Sequence, residues 1–172
     1  MAQSMAFQNA TWLVETAKAG YEDGFRMFGH SLIVAPSGEI AAKSQTEENP
    51  VFYVQMAHAR MSGIFRVAGV APEAVDADVR LDALPAHEDR ELLKKLTAFP
   101  EVTARAARDL EPNKITGYLE ELARLAHGWY HKCRVLGEPP EVERARLALA
   151  RATRIVLANG LTLLGLSAPD RM

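Results

Sequence analysis

One stretch near the middle of the 172-residue chain constrains its fold more than any other. Residues 49–60 read Asn-Pro-Val-Phe-Tyr-Val-Gln-Met-Ala-His-Ala-Arg. Asn49 is a preferred N-cap residue, and Pro50 suits the first helical position because an N–H there would have no partner inside the helix. Apolar residues then recur at helical spacing, at Val54, Ala57, Met61, Ile64 and Phe65. The pattern predicts a helix over residues 50–68 with one buried face.

The rest of the chain predicts further amphipathic helices joined by short breaks. They cover residues 87–98, residues 101–110 after a break or kink at Pro100, a stretch from Pro112 onward, and a last stretch to about residue 166. The side chains expected to face inward recur at helical spacing and are Leu92, Leu93, Leu96, Ile115, Leu119, Leu122, Ala126, Trp129, Leu147, Ala150, Ile155, Leu161 and Leu164. Helices with such short connections are expected to form an antiparallel bundle.

The first 45 residues carry strand signals instead. Residues 31–35 and 39–42 flank Pro-Ser-Gly at 36–38, which is typical of a hairpin turn, and residues 11–17 are rich in β-branched and bulky side chains. Three glycines are interpreted as loop positions, namely Gly20, Gly24 and Gly29. Because an isolated hairpin is only marginally stable in water, its apolar face needs the helices or another chain as a partner. The predicted fold class is therefore mainly α, an antiparallel helical bundle with an N-terminal β-hairpin of short antiparallel strands.

Composition excludes several classes of protein. Apolar residues make up 48% of the chain and charged residues 24%, as in a globular domain, and no apolar run is long enough to cross a membrane. A cytoplasmic protein with no membrane partner is therefore expected. The formal net charge is −2, so nucleic-acid binding would need local clustering of basic residues. Cys133 is the only cysteine, which excludes an intrachain disulfide and a cysteine-based metal site.

The sequence shows no catalytic or metal-binding constellation. His127 and His131 have the i, i+4 spacing of metal ligands, but no carboxylate follows His127 and no further ligand is evident, so no metal is expected. His30 and Ser31 are adjacent and would point to opposite faces of a strand, and no nucleophile elbow surrounds the serine. His58 is expected to pack or hydrogen-bond within the bundle. We expect no catalytic residues and no cofactor, since a glycine-rich phosphate loop is missing too.

Several segments in the second half of the chain share their order and spacing with one known family. They are residues 49–60, 99–102, 110–112, 133–135, 144–147 and 157–172. Together they resemble the C-terminal anticodon-binding (DALR) domain of arginyl-tRNA synthetases over residues 46–172. The resemblance implies a helical bundle that binds the anticodon arm of arginine tRNA. The family positions near the anticodon match Tyr53, Ala57, Tyr130, Arg134 and Met172. Met56 departs from the family, which has an aromatic residue at that position.

The residues themselves leave two interpretations open for the aromatic and basic positions. Tyr53 and Tyr130 could stack on anticodon bases, at about 1–3 kcal/mol per base, or they could be half-buried tyrosines of the bundle. Residues 124–154 carry a net charge of +4 and could hold RNA phosphates, or they could be an ordinary solvated helix face. Three arginines can share one helix face, namely Arg144, Arg151 and Arg154. Arg146 points away from that face.

A second resemblance covers the N-terminal part of the chain. Phe-Gln-Asn-Ala-Thr-Trp at residues 7–12 and Gly-His-Ser-Leu-Ile-Val-Ala-Pro-Ser-Gly-Glu-Ile at residues 29–40 are similar to N-carbamoyl-D-amino-acid amidohydrolases of the nitrilase superfamily. The Glu, Lys and Cys set of that family precedes the matched region, and Cys133 does not map onto its nucleophile. The resemblance implies a strand-rich fragment without amidase activity. We therefore expect two domains, 1–45 and 46–172, joined near residues 42–46.

Two functional hypotheses follow. The first is a non-catalytic tRNA-binding module, since the chain has no match to the His-Ile-Gly-His and Lys-Met-Ser-Lys-Ser type signatures with which this synthetase class binds ATP. Its partner would be arginine tRNA, bound weakly by this domain alone. The alternative is an engineered or recombined chimera with no retained activity, which could form a homo-oligomer through paired or swapped N-terminal strands. An amidohydrolase is disfavoured because its catalytic residues are missing.

Overall fold

A computed structural model describes most of the chain in two compact units, residues 1–53 and residues 54–172. The described residues are 13–15, 20–22, 25–27, 32–37, 39–43, 50–76 and 78–172. The predicted N-cap Asn49 and the polar segment before it lie outside them. The boundary between the units lies within the first turn of the first long helix.

Short antiparallel strands make up the described N-terminal unit. Strands β1 (Leu13–Glu15), β4 (Leu32–Val34) and β5 (Ile40–Lys43) form a three-stranded sheet in the order β1-β4-β5. The β4–β5 pair is the predicted hairpin, closed at its turn by a hydrogen bond from Ala35 N to Glu39 O of 2.9 Å. Its strand register shifts between Ile33 and Val34, and both of these side chains are buried.

A second antiparallel pair was not predicted. Strand β2 (Gly20–Glu22) pairs with β3 (Phe25–Met27), with Gly20 opposite Met27 and Glu22 opposite Phe25. The interpretation of Gly20 as a loop residue was therefore wrong. The sequence between the two strands is Asp-Gly, a dipeptide typical of two-residue hairpin connections, and this signal was overlooked. The other predicted loop glycines and the flanks of β1 lie outside the described residues.

Five helices follow and form the predicted antiparallel bundle. They are α1 (Pro50–Ala68), α2 (His87–Thr97), α3 (Phe99–Asp109), α4 (Asn113–Lys132) and α5 (Pro140–Leu163). Two short 3-10 turns, Pro72–Ala74 and Leu81–Ala83, lie between α1 and α2. Helix α4 packs against α2, α3 and α5, and α2 also packs against α5. Among the described helices, none combines the length and apolarity needed to cross a bilayer.

Prolines and one glycine set the helix boundaries where the sequence placed them. Pro100 lies in the first turn of α3, where its missing N–H costs nothing, so the chain breaks at Ala98 instead of kinking. Pro112 precedes the first residue of α4. Gly137 has a φ of +80° between α4 and α5, a left-handed conformation that glycine adopts without strain.

The apolar stripes predicted for α1 and α4 form the core. All five stripe residues of α1 are buried, and Trp129 of α4 is fully buried at 0% exposure. In α5 the predicted Ile155 is 42% exposed, so this core assignment was wrong. The buried face of α5 instead runs through residues 150, 153, 157 and 161, whose spacing keeps them on one side of the helix.

A buried carboxylate joins three of the helices. Asp89, in the first turn of α2, is fully buried and accepts hydrogen bonds from the indole Nε1 of Trp129 at 2.6 Å and the backbone N–H of Ala86 at 3.1 Å. The guanidinium of Arg146 in α5 donates two more, from Nε at 3.1 Å and from Nη2 at 3.0 Å. Arg146 Nη1 also donates to the carbonyl oxygen of Arg134 at 2.6 Å. The carboxylate and guanidinium therefore satisfy each other and bind the ends of α2, α4 and α5 together.

Burial and pairing act in opposite directions on this arginine. Burial lowers the pKa of Arg146, but its hydrogen bonds to Asp89 and the charge of that carboxylate outweigh burial and raise the pKa. Removing one partner of such a pair would leave the other charged group buried without compensation, which is far more costly than losing an exposed pair.

We expect Arg146→Met to lower the free energy of unfolding by about 3–5 kcal/mol, because it leaves the Asp89 carboxylate buried and unpaired. Urea unfolding followed by helical circular dichroism measures the loss. The matched control is Arg105→Met, which removes an exposed ion pair with Glu101 of 2.6 Å within α3 and should change little. Equal losses in the two variants would contradict a structural role for the buried pair.

Gly160→Ala should destabilise the packing of α5 on α4. A Cβ at Gly160 would lie 2.5 Å from Cδ2 and 3.0 Å from Cδ1 of the buried Leu119, so that side chain must move. We expect a loss of about 1–3 kcal/mol from overpacking, measured by the same unfolding assay. Gly117→Ala is the control, since nothing lies within 4 Å of its added Cβ and alanine favours the helix. A stabilising effect at Gly160 would contradict the close approach.

Candidate nucleic-acid interface

Side chains of α1 and α4 meet at the surface, namely an arginine from α1 and a tyrosine and a histidine from α4. Tyr130 in the last turn of α4 is 43% exposed, and the guanidinium carbon of Arg60 in α1 lies 5.8 Å from its ring centroid. The ring of His131 approaches that of Tyr130 edge-on, with 5.8 Å between centroids. These distances allow cation–π and edge-to-face contacts. We call Arg60, Tyr130 and His131 the Arg60 cluster.

The guanidinium of the Arg60 cluster is held by both histidines of the i, i+4 pair. Arg60 Nη1 donates to His127 Nδ1 at 2.8 Å and lies 3.4 Å from His131 Nε2. His127 is buried, whereas His131 is exposed. His127 and His131, whose i, i+4 spacing is that of metal ligands, thus both contact Arg60. Within the described part of the chain, no group of three histidine, cysteine or acidic side chains is placed to hold a metal ion.

The Arg60 cluster presents the chemistry that single-stranded bases need. Tyr130 offers an aromatic face, and the planar guanidinium offers both a stacking surface and several N–H donors. Unpaired RNA bases are recognised by stacking and by hydrogen bonds to their exposed edges. Arg60 was not among the predicted site residues, although it is three residues after Ala57 in the same helix. The signal that would have found it is its proximity to Tyr130, which only the folded chain shows.

Two predicted site residues of this region, Ala57 and Tyr53, and the divergent Met56 occupy different environments. Ala57 is fully buried, so its side chain contributes to the core of α1 and offers no surface to a ligand. Tyr53 is partly buried and belongs to the first compact unit. Met56, which replaces an aromatic residue of the resembled family, is partly buried.

Much of the basic zone over residues 124–154 is engaged in contacts within the protein. Lys132 pairs with Glu88 at 2.9 Å, and Arg146 pairs with Asp89 as described above. Arg151 Nη1 donates to the carbonyl oxygen of Val75 at 2.8 Å. The net charge of this segment therefore overstates the basic surface that it offers to a partner.

Three arginines of the zone remain at the surface, namely Arg124, Arg134 and Arg144. Arg134 follows α4 by two residues, in an extended segment between the buried Cys133 and Val135. Its guanidinium lies over Gly137, where a Cβ would come within 3.2 Å of Nη2. Arg144 Nε donates to the carbonyl of Pro140 at 3.2 Å, one turn earlier in α5. All three of these arginines are therefore accessible from solvent.

The C-terminal segment, residues 164–172, runs along α1 after helix α5 ends. Gly165 has a φ of +72°, and Leu166 N donates to Leu161 O at 2.9 Å, which closes the end of the helix. Gln55 Nε2 then donates to Ser167 O at 2.8 Å, and His58 Nδ1 donates to Pro169 O at 2.9 Å. The expectation that His58 hydrogen-bonds within the bundle is thus confirmed.

Asp170 is the most heavily bonded residue of the C-terminal segment. Its Oδ1 accepts from Ser62 Oγ at 2.8 Å and from Arg154 Nη2 at 3.1 Å, and Arg154 Nε donates to Ser62 Oγ at 3.0 Å. The Ser62 hydrogen bond and the Arg154 guanidinium lower the pKa of Asp170 below its ordinary value. Met172, two residues further on, is 55% exposed.

The comparisons with known proteins identify the family of the helical unit. Residues 54–172 match the family described as the DALR anticodon binding domain, so the chain belongs to that family of helical domains. The relatives that share it are arginine–tRNA ligases. The chain is 48% identical over 135 residues to the enzyme of Moorella thermoacetica and 50% identical over 135 residues to that of Geobacter metallireducens. In both cases 76% of this chain and 24% of the relative are covered, so it spans about a quarter of their length.

A solved structure shows the same fold. The arginyl-tRNA synthetase of Thermus thermophilus superposes with a TM-score of 0.62 at 31% sequence identity. The superposition covers 74% of this chain and 22% of that one. Separately, residues 1–64 match the carbon-nitrogen hydrolase family, which overlaps the other match at residues 54–64. The similarity to two different families agrees with the two resemblances seen in the sequence.

We expect His58 and His127 to adopt opposite neutral tautomers. His58 must carry its proton on Nδ1, because a carbonyl oxygen can only accept, whereas His127 Nδ1 accepts from Arg60 and must be unprotonated. Nitrogen-15 NMR of the imidazole rings, at a pH where both are neutral, distinguishes the two forms. Arg60→Ala should remove the hydrogen bond to His127 Nδ1, so that this bond no longer fixes the tautomer of that ring, and leave His58 unchanged. A protonated Nδ1 in His127 of the wild-type chain would contradict the contact that fixes Arg60.

Proposed function

We propose that this chain is a non-catalytic RNA-binding module that binds the anticodon arm of arginine tRNA. The observation that carries the proposal is the Arg60 cluster, an exposed aromatic and guanidinium surface on a domain of the DALR anticodon-binding family. The relatives with which the chain aligns are named as arginine–tRNA ligases. Unpaired bases of an RNA loop are recognised by stacking and by hydrogen bonds to their edges, and this surface has an aromatic ring and a guanidinium group that can make both contacts.

Binding would combine base stacking with phosphate contacts. A base stacked on Tyr130 contributes about 1–3 kcal/mol, and Arg60 supplies donors to its edge. Arg134 and Arg144 would neutralise backbone phosphates near the stacked base, because both guanidinium groups face outward. With a net charge of −2, the chain has little long-range attraction for RNA, so these local contacts must carry the interaction.

The other predicted RNA-binding residues keep a place in the proposal with different roles. Tyr53 and Met172 are proposed to contact RNA directly. Ala57 acts through packing, since it is buried. Arg151 and Arg154 are proposed to act indirectly. Arg151 donates to the Val75 carbonyl and Arg154 donates to Asp170, so these donors already have partners within the protein.

We propose that the module is joined near residues 42–46 to an N-terminal fragment of the carbon-nitrogen hydrolase type, in a cytoplasmic protein without ligase activity of its own. The chain spans a quarter of its ligase relatives, so weak binding of tRNA by this module alone is expected. The second candidate, a recombined protein with no retained activity, is favoured by the match of residues 1–64 to an unrelated family. In that case the short strands β1 and β5, which flank β4, would pair with a second copy of the chain.

We expect the purified chain to bind arginine tRNA more tightly than a non-cognate tRNA, and Tyr130→Ala to remove this preference. The loss in affinity should be about fivefold to 150-fold, because one stacked base is worth about 1–3 kcal/mol. Fluorescence anisotropy of labelled tRNA at low and moderate salt measures it.

Tyr130→Phe is the matched control, since it keeps the aromatic face and removes only the hydroxyl. It should retain most of the affinity. Equal, weak binding of both tRNAs that disappears with added salt would contradict the module and favour the recombined protein without activity. A concentration-dependent dimer in the same sample would then support pairing of the N-terminal strands.

A further inference from the structure

The C-terminal segment is held along α1 by a set of hydrogen bonds in register. Ser167 and Pro169 bind Gln55 and His58 of α1. Asp170 binds Ser62 and, through a weak contact of 3.5 Å from its carbonyl oxygen to Nη2, Arg66. These positions are spaced by three or four residues, so they lie on one face of the helix. The segment is therefore fixed along α1, and these hydrogen bonds set which of its residues lies opposite which residue of the helix.

Asp170 is the point at which the segment is connected to two helices at once. Its carboxylate binds Ser62 of α1 and Arg154 of α5, and these two side chains are also hydrogen-bonded to each other. The other contacts of the segment use the backbone oxygens of Ser167, Pro169 and Asp170 and the hydroxyl of Ser167, which lies 3.3 Å from Gln55 Nε2. Asp170 is thus the residue whose side chain connects the segment to both α1 and α5.

Arg171 and Met172 follow Asp170 at the rim of a groove. The groove has a volume of about 520 Å³ and is lined in part by Phe65, Arg66, Val70, Arg154 and Arg171. Arg66 and Arg171 are both exposed there. A shift of the segment by one residue would move Arg171 and the exposed Met172 by about 3.5 Å, the length of one extended residue.

We propose that Asp170 is a positioning residue for RNA binding, acting with Ser62 and Arg154 to hold Met172 where it meets the RNA. The inference rests on the proposed function, in which Met172 contacts the anticodon arm. It also assigns Arg154 to this connection instead of to a phosphate, because Nε and Nη2 of its guanidinium are occupied by Ser62 and Asp170.

The position of Met172 can be followed without RNA. The chain has six methionines, and carbon-13 labelling of their methyl groups yields one NMR signal for each, with that of Met172 assigned from Met172→Leu. Asp170→Asn should move the Met172 signal toward its value in an unstructured peptide and leave the buried Met61 signal in place. Asp82→Asn is the matched control, since it removes an exposed ion pair with Arg80 of 2.7 Å elsewhere on the surface.

The RNA arm of the experiment separates positioning from direct contact. Asp170→Asn should weaken binding of arginine tRNA about fivefold to tenfold, as expected for the loss of one charge-assisted contact, and Asp82→Asn should not. Removing Met172 in addition should cause little further loss, because both changes act through the same residue. Arg154→Ala should weaken binding with an unchanged salt dependence, whereas Arg134→Ala should reduce the slope by about 0.7–0.9 per lost phosphate contact.

Each contrary result has a distinct meaning. An unmoved Met172 signal in Asp170→Asn overturns the positioning role, as does a moved signal with unchanged tRNA affinity. A reduced salt slope in Arg154→Ala overturns the assignment of Arg154 and makes it a phosphate contact. If the wild-type chain itself binds no tRNA, the proposed function fails, and the RNA role of Asp170 fails with it.

Discussion

The buried carboxylate of Asp89 is the interaction on which the helical unit depends. It accepts hydrogen bonds from α4 and α5 and from the backbone that enters α2, so three helix ends are fixed relative to one another. The same guanidinium that neutralises it also binds the Arg134 carbonyl. An ion pair of this kind adds little to stability compared with well-packed apolar groups, but it tolerates only one geometry, since any displacement leaves a buried charge unpaired.

The hydrogen-bond network around Asp89 also fixes the position of the candidate interface. Tyr130 is one residue after Trp129, whose indole binds Asp89, and Arg134 is in the extended segment whose carbonyl binds Arg146. Cys133 between them is buried, and burial raises the pKa of its thiol to about 11, so it is a packed and unreactive side chain at neutral pH. The buried polar network around Asp89 therefore fixes the backbone that carries the exposed Tyr130 and Arg134. An interface for bases needs such rigidity, because stacking depends on the orientation of the ring.

The sequence predicted the bundle because its signals are local. Proline, glycine and apolar periodicity act within a few residues, and they placed α1 at its observed bounds and its stripe in the core. The pairs that organise the site join residues far apart in the chain, such as Asp89 with Arg146, 57 positions later, and Ser62 with Asp170, 108 positions later. No spacing rule links such pairs. For the same reason Arg146 was counted in a basic surface zone, Arg60 was overlooked, and Ile155 was placed in the core, since periodicity alone does not tell which face of a long helix meets its neighbours.

The central claim is that the exposed groups held by this network bind the anticodon arm of arginine tRNA. Hydroxyl-radical footprinting of the whole tRNA with the intact chain tests it most directly, because it reports where on the RNA the protein lies. The account predicts protection confined to the anticodon loop and the adjoining stem, at a protein concentration that saturates binding. Protection spread evenly over the acceptor and D arms, or none at saturation, would contradict it.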